Sequence, residues 1–416
     1  AGRGGRRWVH TKTMTTAPSA IVACNIYITA AASHSSALLS LLRRAQERCR
    51  QLRRRQNEVG REQDTAARDA AVFGGTERVA PVAMVHAYAD VPYDRSSFHL
   101  AGRPDCVSDV ASGLIRNALN EIDLDCSPNG IKIGGGTESR HPFVGLVDHV
   151  SVMPLTYPTS VHGESKDLHV KCEAAANSAR RIGNQMSETN LVNVHYYGMA
   201  CPNNTPLATV RRERTSFFKS GGAINDLTKE GKETSTITNI APKGDTTIGT
   251  PMNFVENFNI RLTANVSFDQ AKTLTRYLRG RNVERKGCGV VGLEALTLPY
   301  SRDLSEGGTV YEVACNLTNP NRGGAEEIRS QLKEWIVRQK QDLSGNHDEK
   351  GVSTNDACKF NDEYFVEDAY SVGTTEEQCL RVLSGERHRK EDTSSDTFWE
   401  EYDKGVVSKF QDFLQR

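Results

Sequence analysis

The side chains best suited to chemistry in this chain gather around a histidine, in the run Ser139-Arg140-His141-Pro142. Imidazole titrates near neutrality, so it can both take and return a proton during group transfer. Pro142 biases residue 141 toward an extended conformation at a strand entrance, and Gly145 lets the backbone turn or approach a ligand. The ordinary alternative is a histidine on a surface loop before a strand. Arg95, Arg103 and Arg211 offer bidentate pairing to carboxylates. The commoner roles for the last two are capping the Gly102–Pro104 turn and lying on a solvated face. Tyr196-Tyr197-Gly198 offers a flat aromatic platform beside a permissive backbone, although core packing explains two tyrosines nearly as well. Asp90, between Ala89 and Val91, either lies close to the histidine as a charge partner or forms a turn before Pro92.

No metal centre is expected. Strand alternation should send Asp148 and His149 to opposite faces, so the two do not converge on an ion with His141. The ten cysteines are scattered without a Cys-x-x-Cys pair or zinc-type spacing, which favours a reducing, intracellular setting.

The chain has 416 residues, too many for one small core, with 52 basic and 52 acidic side chains. That balance gives a nucleic-acid role little support. No stretch has the length and apolarity of a membrane span or a signal peptide. Charge is nonetheless segregated, with roughly eight excess positive charges in residues 1–70 and roughly nine excess negative ones in 341–416. The first 46 residues hold no Asp or Glu, as in organellar transit segments, while Met14 offers an alternative start. Mitochondrial and cytoplasmic placement both stay open.

The elements that must position these groups follow from periodicity. Strand patterns cover 20–28, 81–88, 98–100, 144–154 and 191–197, and helical spacing covers 36–55, 108–122 and 166–186. Residues 51–69 have almost no apolar face and are expected as a solvated helical extension or insert. The β-α-β-β-α-β order predicts an α/β fold of the α+β sandwich kind with a ferredoxin-like lobe. Residues 212–250 show little periodicity and are expected as a long connection. A second lobe then repeats the alternation, with strands at 257–265, 290–298 and 309–317 and helices at 268–278 and 325–341. Beyond it lies an acidic extension ending in a helix over 397–414, whose stripe of Phe398, Trp399, Tyr402, Val406, Phe410, Phe413 and Leu414 should dock on its own fold more readily than on a partner. The expected organisation is an N-terminal extension over 1–19, a first lobe over 20–200 with an Arg-rich insert at about 48–75, a second lobe over 201–345, and the extension over 346–416.

Five segments, taken in order, resemble the formiminotransferase domain family, in particular stand-alone plant-type members without a cyclodeaminase domain. They are Ala23-Cys24-Asn25-Ile26-Tyr27-Ile28, Phe98-His99-Leu100-Ala101-Gly102-Arg103-Pro104, His141-Pro142-Phe143-Val144-Gly145-Leu146-Val147-Asp148-His149, Tyr196-Tyr197-Gly198 and Glu312-Val313-Ala314-Cys315-Asn316-Leu317-Thr318-Asn319-Pro320. The resemblance implies two sandwich lobes with a folate groove between them, and transfer of a formimino group from N-formiminoglutamate to tetrahydrofolate as co-substrate. It implies an acid/base role for His141, a nearby aspartate at Asp90, an arginine at Arg95, and folate or substrate contacts from Arg103, Tyr196, Tyr197, Gly198 and Arg211. The chain departs from the family at Phe143, where an arginine is usual, and at Thr29-Ala30-Ala31, where Ser-Glu is common. A second outcome therefore stays open: an impaired homologue serving as a folate binder, or an accessory subunit joining a homodimer or larger complex through the Arg-rich insert and terminal helix.

Overall fold

The computed structural model describes residues 20–67, 79–127, 130–133, 141–156, 165–215, 241–283, 288–300, 309–345, 364–385 and 395–415. The expected extension over 1–19 and much of the 212–250 connection lie outside them.

The opening run forms β1 (Val22–Ile28), whose alternation sorts its side chains. Cys24, Ile26 and Ile28 enter the apolar core under the helices, while Asn25 and Tyr27 point the other way. The chain continues as α1 (Ser35–Ala67), β2 (Val82–Asp90), β3 (Arg95–Gly102) and α2 (Pro104–Glu121). Pro104 begins α2, where a missing N–H costs nothing. Val107, Val110, Ala111, Leu114, Ile115 and Ala118 supply its buried stripe. A two-stranded pair, β4 (Leu124–Ser127) and β5 (Gly130–Ile133), precedes β6 (Val147–Pro154). Then come α3 (Ser165–Ser187), β7 (Asn193–Gly198), α4 (Leu207–Arg214) and β8 (Asp245–Thr250). The sheet runs β2-β3-β1-β6-β8-β7, antiparallel from β2 to β6 and parallel beyond. Its first four strands have the order of a ferredoxin-like unit.

The second lobe repeats that order: β9 (Glu256–Leu262), α5 (Phe268–Leu278), β10 (Leu293–Tyr300), β11 (Val310–Leu317), α6 (Ala325–Gly345) and β12 (Val366–Val372) make an antiparallel sheet β10-β11-β9-β12. A capping box between Ser267 and Gln270 starts α5. Phe258, Ile260, Val313, Cys315 and Trp335 form the lobe's own core.

Both expected boundaries fall inside a sheet. β8, beyond residue 200, completes the first sheet, and β12, beyond residue 345, completes the second. The acidic extension is thus built into the fold. α7 (Glu376–Ser384) packs on β2 and β3 through Cys379, Val382 and Leu383. α8 (Ser395–Leu414) lies along β2 and α1 with Phe410 fully buried. β2 is an edge strand, and the Tyr402 hydroxyl donates to Val85 O at 2.6 Å while Arg53 Nη1 donates to Val82 O at 3.3 Å. Edge carbonyls are thereby covered rather than left to pair with another chain.

The Arg-rich stretch has a role in this packing. Arg53 is buried, pairs with Asp403 of α8 at 3.1 Å and stands 4.2 Å over the Trp399 ring. Arg44 and Arg48 pair with Glu121 and Asp109 of α2. α1 continues as a helix through Ala67; Arg53 docks on α8, while Gln51, Arg54, Arg55, Asn57 and Glu58 are exposed, in keeping with the expected solvated helical extension.

Candidate functional site

The lobes meet through their polar sheet faces. Tyr27 donates to Asn257 Oδ1 at 2.9 Å, His99 Nδ1 lies 3.1 Å from Thr374 Oγ1, and the Tyr93 and Tyr300 rings pack edge-to-face with centroids 5.2 Å apart. At this junction β6 carries an irregularity. Tyr27 faces His149 and Ile28 faces Val147, so Asp148 is the extra residue of a bulge. Alternation fails there, and Asp148 and His149 both reach the same charge cluster, contrary to their expected separation.

Asp148 is fully buried and is the hub of that cluster. Its Oδ2 accepts from Arg95 Nη2 at 2.6 Å and from Arg211 Nη2 at 3.1 Å, and its Oδ1 accepts from Val144 N at 3.0 Å. Burial alone would raise the carboxyl, but the two guanidinium groups outweigh it and hold the pKa at about 2. One negative and two positive charges leave the cluster cationic, which suits an incoming carboxylate.

His141 joins through Arg95. Its Nδ1 sits 2.6 Å from Pro142 O and its Nε2 2.8 Å from Arg95 Nη1. The tautomer with Nδ1–H donating to the carbonyl leaves the Nε2 lone pair to accept from the arginine. Burial and the Arg95 charge lower its pKa to about 3, against the pull of Asp148, so the ring is neutral at physiological pH. It can accept a proton at Nε2 once a ligand draws Arg95 away. Proton donation would need a ligand-induced change in its surroundings.

Aromatic rings line the same face. Tyr27, His149 and Tyr197 stack in series with centroids 5.7 and 5.3 Å apart, and the Arg95 guanidinium stands 4.9 Å from the Tyr27 ring centre. Thr247 of β8 adds a hydroxyl 3.1 Å from His149 Nδ1. Burial, with Arg211 next in effect, lowers the His149 pKa to about 3.

The structure brings His141, Arg95, Arg211 and Tyr197 of the expected set together. Asp90 makes no hydrogen bond to the imidazole: its Oδ1 accepts from Tyr93 N at 3.4 Å, and the charges acting most on His141 are Arg95, Asp148 and Arg211. Tyr196 faces α3, donating to Asn184 Oδ1 at 2.8 Å, because adjacent strand residues point oppositely. Arg103 is exposed at the start of α2 and pairs with Asp105 two residues on. Gly198 takes a positive φ of 56° where β7 ends, and an added Cβ would meet Thr250 O at 2.1 Å. Its role in position is to close the strand. Thr29 and Ala30 serve the scaffold, with Thr29 Oγ1 donating to Gly145 O and Ala30 O accepting from Ser96. No group of three potential metal ligands occurs among the described residues. No helix there is long and apolar enough to cross a membrane.

Sequence reasoning missed a second polar group, opposite the first. Glu312 of β11, fully buried, accepts from Tyr370 at 2.6 Å and Asn259 Nδ2 at 2.8 Å, with Arg261 at 3.9 Å. Burial and the neighbouring Glu312 charge raise Asp90 to about 7, and burial raises Glu312. The one available signal was an acidic residue in an otherwise apolar strand pattern.

Part of the chain is similar to known proteins. The model of the formiminotransferase domain, N-terminal subdomain, matches residues 60–249. A formiminotransferase cyclodeaminase-like protein of Arabidopsis thaliana is 23% identical over 266 residues, covering 61% of this chain and 77% of that protein. Two solved structures align at a TM-score of 0.16, too low to bear on fold or function. They are the periplasmic protease PqqL from Escherichia coli (12% identical, 95% of this chain and 41% of that one) and a predicted insulinase family protease from Yersinia pestis (11% identical, 94% and 92%). The matched region spans β2 to β8 and contains His141, Asp148 and Arg211, and over it the chain is similar to the formiminotransferase domain family.

Proposed function

We propose that the chain binds a folate in the groove between its lobes and transfers a formimino group from an N-formiminoglutamate-like donor to tetrahydrofolate. The observation that carries this reading is the convergence of His141, Arg95, Asp148 and Arg211 at the lobe junction. The folate secondary amine attacks the formimino carbon, a tetrahedral adduct forms, and the glutamate amine departs. The attacking nitrogen must lose a proton and the departing one must gain one. Substrate carboxylates are the groups that would draw Arg95 from His141 and free Nε2 to take part. Tyr27, His149 and Tyr197 supply a ring surface for a flat pterin.

One observation favours a second reading, a folate binder with impaired chemistry. Arg95 and Arg211 are both committed to Asp148, and the position where the family usually has an arginine is a buried Phe143. Losing a carboxylate-pairing charge costs a few kcal/mol, or about two orders of magnitude in rate. An accessory-subunit role would need surfaces other than Arg53, Asp403 and Trp399, which engage one another.

Equilibrium titration with tetrahydrofolate, followed by a transfer assay with N-formiminoglutamate on native protein and His141→Ala, separates these readings. Binding with turnover that falls at least about a hundredfold in the variant supports the transferase. Binding without turnover selects the folate binder, and no binding overturns both.

A further inference from the structure

We propose that Thr247 is a positioning residue that fixes His149 in the tautomer with a proton on Nδ1, so that the Nε2 lone pair becomes a second proton acceptor of the site. The use of that acceptor rests on the transferase reading above; the tautomer does not. His149 of β6 and Thr247 of β8 are partners in a parallel register, and the Thr247 side chain is fully buried. Its hydroxyl has one proton to give and two lone pairs to offer. The proton goes to the Asp148 carbonyl oxygen at 3.1 Å, because a carbonyl can only accept. Arg211 Nε and Nη2, which can only donate, both stand at 3.4 Å. A lone pair is therefore what the hydroxyl turns to His149 Nδ1 at 3.1 Å, and that nitrogen must carry the hydrogen.

The lone pair of the ring is left on Nε2. It faces the Tyr197 hydroxyl at 3.4 Å, and that hydroxyl donates to Ser151 Oγ at 3.1 Å. Tyr197 reaches β6 from β7 by lying across β8 at Gly249, where an added Cβ would meet its ring at 2.6 Å. His141 differs in the neighbour of its Nε2, which is the Arg95 cation at 2.8 Å; at His149 that neighbour is a neutral phenol. In the transfer, His149 Nε2 takes the proton that the attacking folate nitrogen gives up and returns it to the departing glutamate amine, so the ring ends neutral as it began. The same hydroxyl holds the β6 bulge through Asp148 O. The competing account is that Thr247 does only this, tying β6 to β8.

The test reads the His149 nitrogens by NMR of the full chain labelled with 15N-histidine, at neutral pH and without folate, the signal being assigned by its loss in His149→Gln. The native ring should be protonated at Nδ1 and bare at Nε2. Thr247→Val removes the acceptor and should move the proton toward Nε2, where the Tyr197 oxygen can accept it, while Thr247→Ser should keep it on Nδ1. Tyr197→Phe should also keep it there, because Thr247 and not the phenol sets the tautomer. A native ring protonated at Nε2 overturns the proposal, as does an unchanged tautomer in Thr247→Val or a changed one in Tyr197→Phe. If Thr247→Val does not fold, a proton on Nδ1 in the native chain, Thr247→Ser and Tyr197→Phe supports the proposal, and its absence from any of them overturns it. In the transfer assay Thr247→Val should lower kcat about tenfold or more with KM changed less than about twofold, and Thr247→Ser should restore most of the rate. A shifted tautomer with unchanged kcat overturns the acceptor role. A native chain that binds folate without turnover overturns the transferase reading and the acceptor role with it, and leaves the tautomer assignment standing.

Discussion

Two buried aspartates in this protein each stand between two arginines, and they are put to different uses. Asp148 receives Arg95 and Arg211 at 2.6 and 3.1 Å and also takes a backbone amide. Asp403 receives Arg53 at 3.1 Å, while Arg50, partly exposed, stands 3.8 Å off. The carboxyl pKa is depressed to about 2 in the first case and raised by burial in the second, where the arginines only partly offset it. Beside Asp148 lie two neutral histidines and a stack of rings; beside Asp403 lie Trp399 and the edge of β2. The first arrangement gathers charge at the lobe junction, and the second fastens the terminal helix.

Asp148→Ala should have the largest effect. It leaves Arg95 and Arg211 buried without their carboxylate, a loss of about 3–5 kcal/mol in urea unfolding, accompanied by loss of folate binding. Asp403→Ala should cost less, about 2 kcal/mol, because Arg53 keeps Val82 O and the Trp399 face. Folate binding should survive it; equal damage to binding would dissolve the contrast.

The pH dependence should differ in sign. Asp148 is depressed from 3.8 to about 2, so its contribution, about 2 kcal/mol, is present above pH 4 and lost as pH falls through 2. His141 and His149, lowered from 6.5 to about 3, steepen the same acid limb, since the unfolded chain takes up protons first. Asp403 is raised, so its contribution is complete below 3.8 and falls away as pH rises through its folded value. Urea midpoints measured from pH 3 to 8 should therefore show an acid limb that flattens in His141→Gln and does not flatten in Asp403→Asn. Smallest of all, Arg103→Ala should change stability by about 0.5 kcal/mol or less and leave folate affinity unchanged, because its ion pair is local and solvated.

Much of the scaffold was legible because its cause is local. Cys24, Ile26 and Ile28 against Asn25 and Tyr27 announce a strand with two unlike faces, and the Val107-to-Ala118 stripe announces α2. β8 was not, since Asp245-Thr-Thr-Ile-Gly-Thr250 has one large apolar residue and becomes a strand only because β6 and β7 pair with it on both sides. β12 was hidden likewise, its side chains only partly buried. At the site, Arg95, Arg211 and His141 were found by type or by resemblance. The bulge that turns Asp148 toward them leaves no trace in the residues themselves, and Glu312 is explained by a facing sheet no window of sequence contains. Tyr196 and Tyr197 show the same limit at the scale of one residue, because parity decides which one faces His149 and Ser151.

The insertion of β8 between β6 and β7 has a consequence for how the chain assembles. A ribosome releases β7 some fifty residues before the strand that will join it to β6, so the parallel half of the first sheet waits for its middle. The other edge waits longer, because Phe410 and Leu414 follow some three hundred residues later and pack into the same apolar core as Phe98 and Leu100. Neither lobe is a finished unit when its first helices emerge, because β8 and β12 complete the two sheets far along the chain.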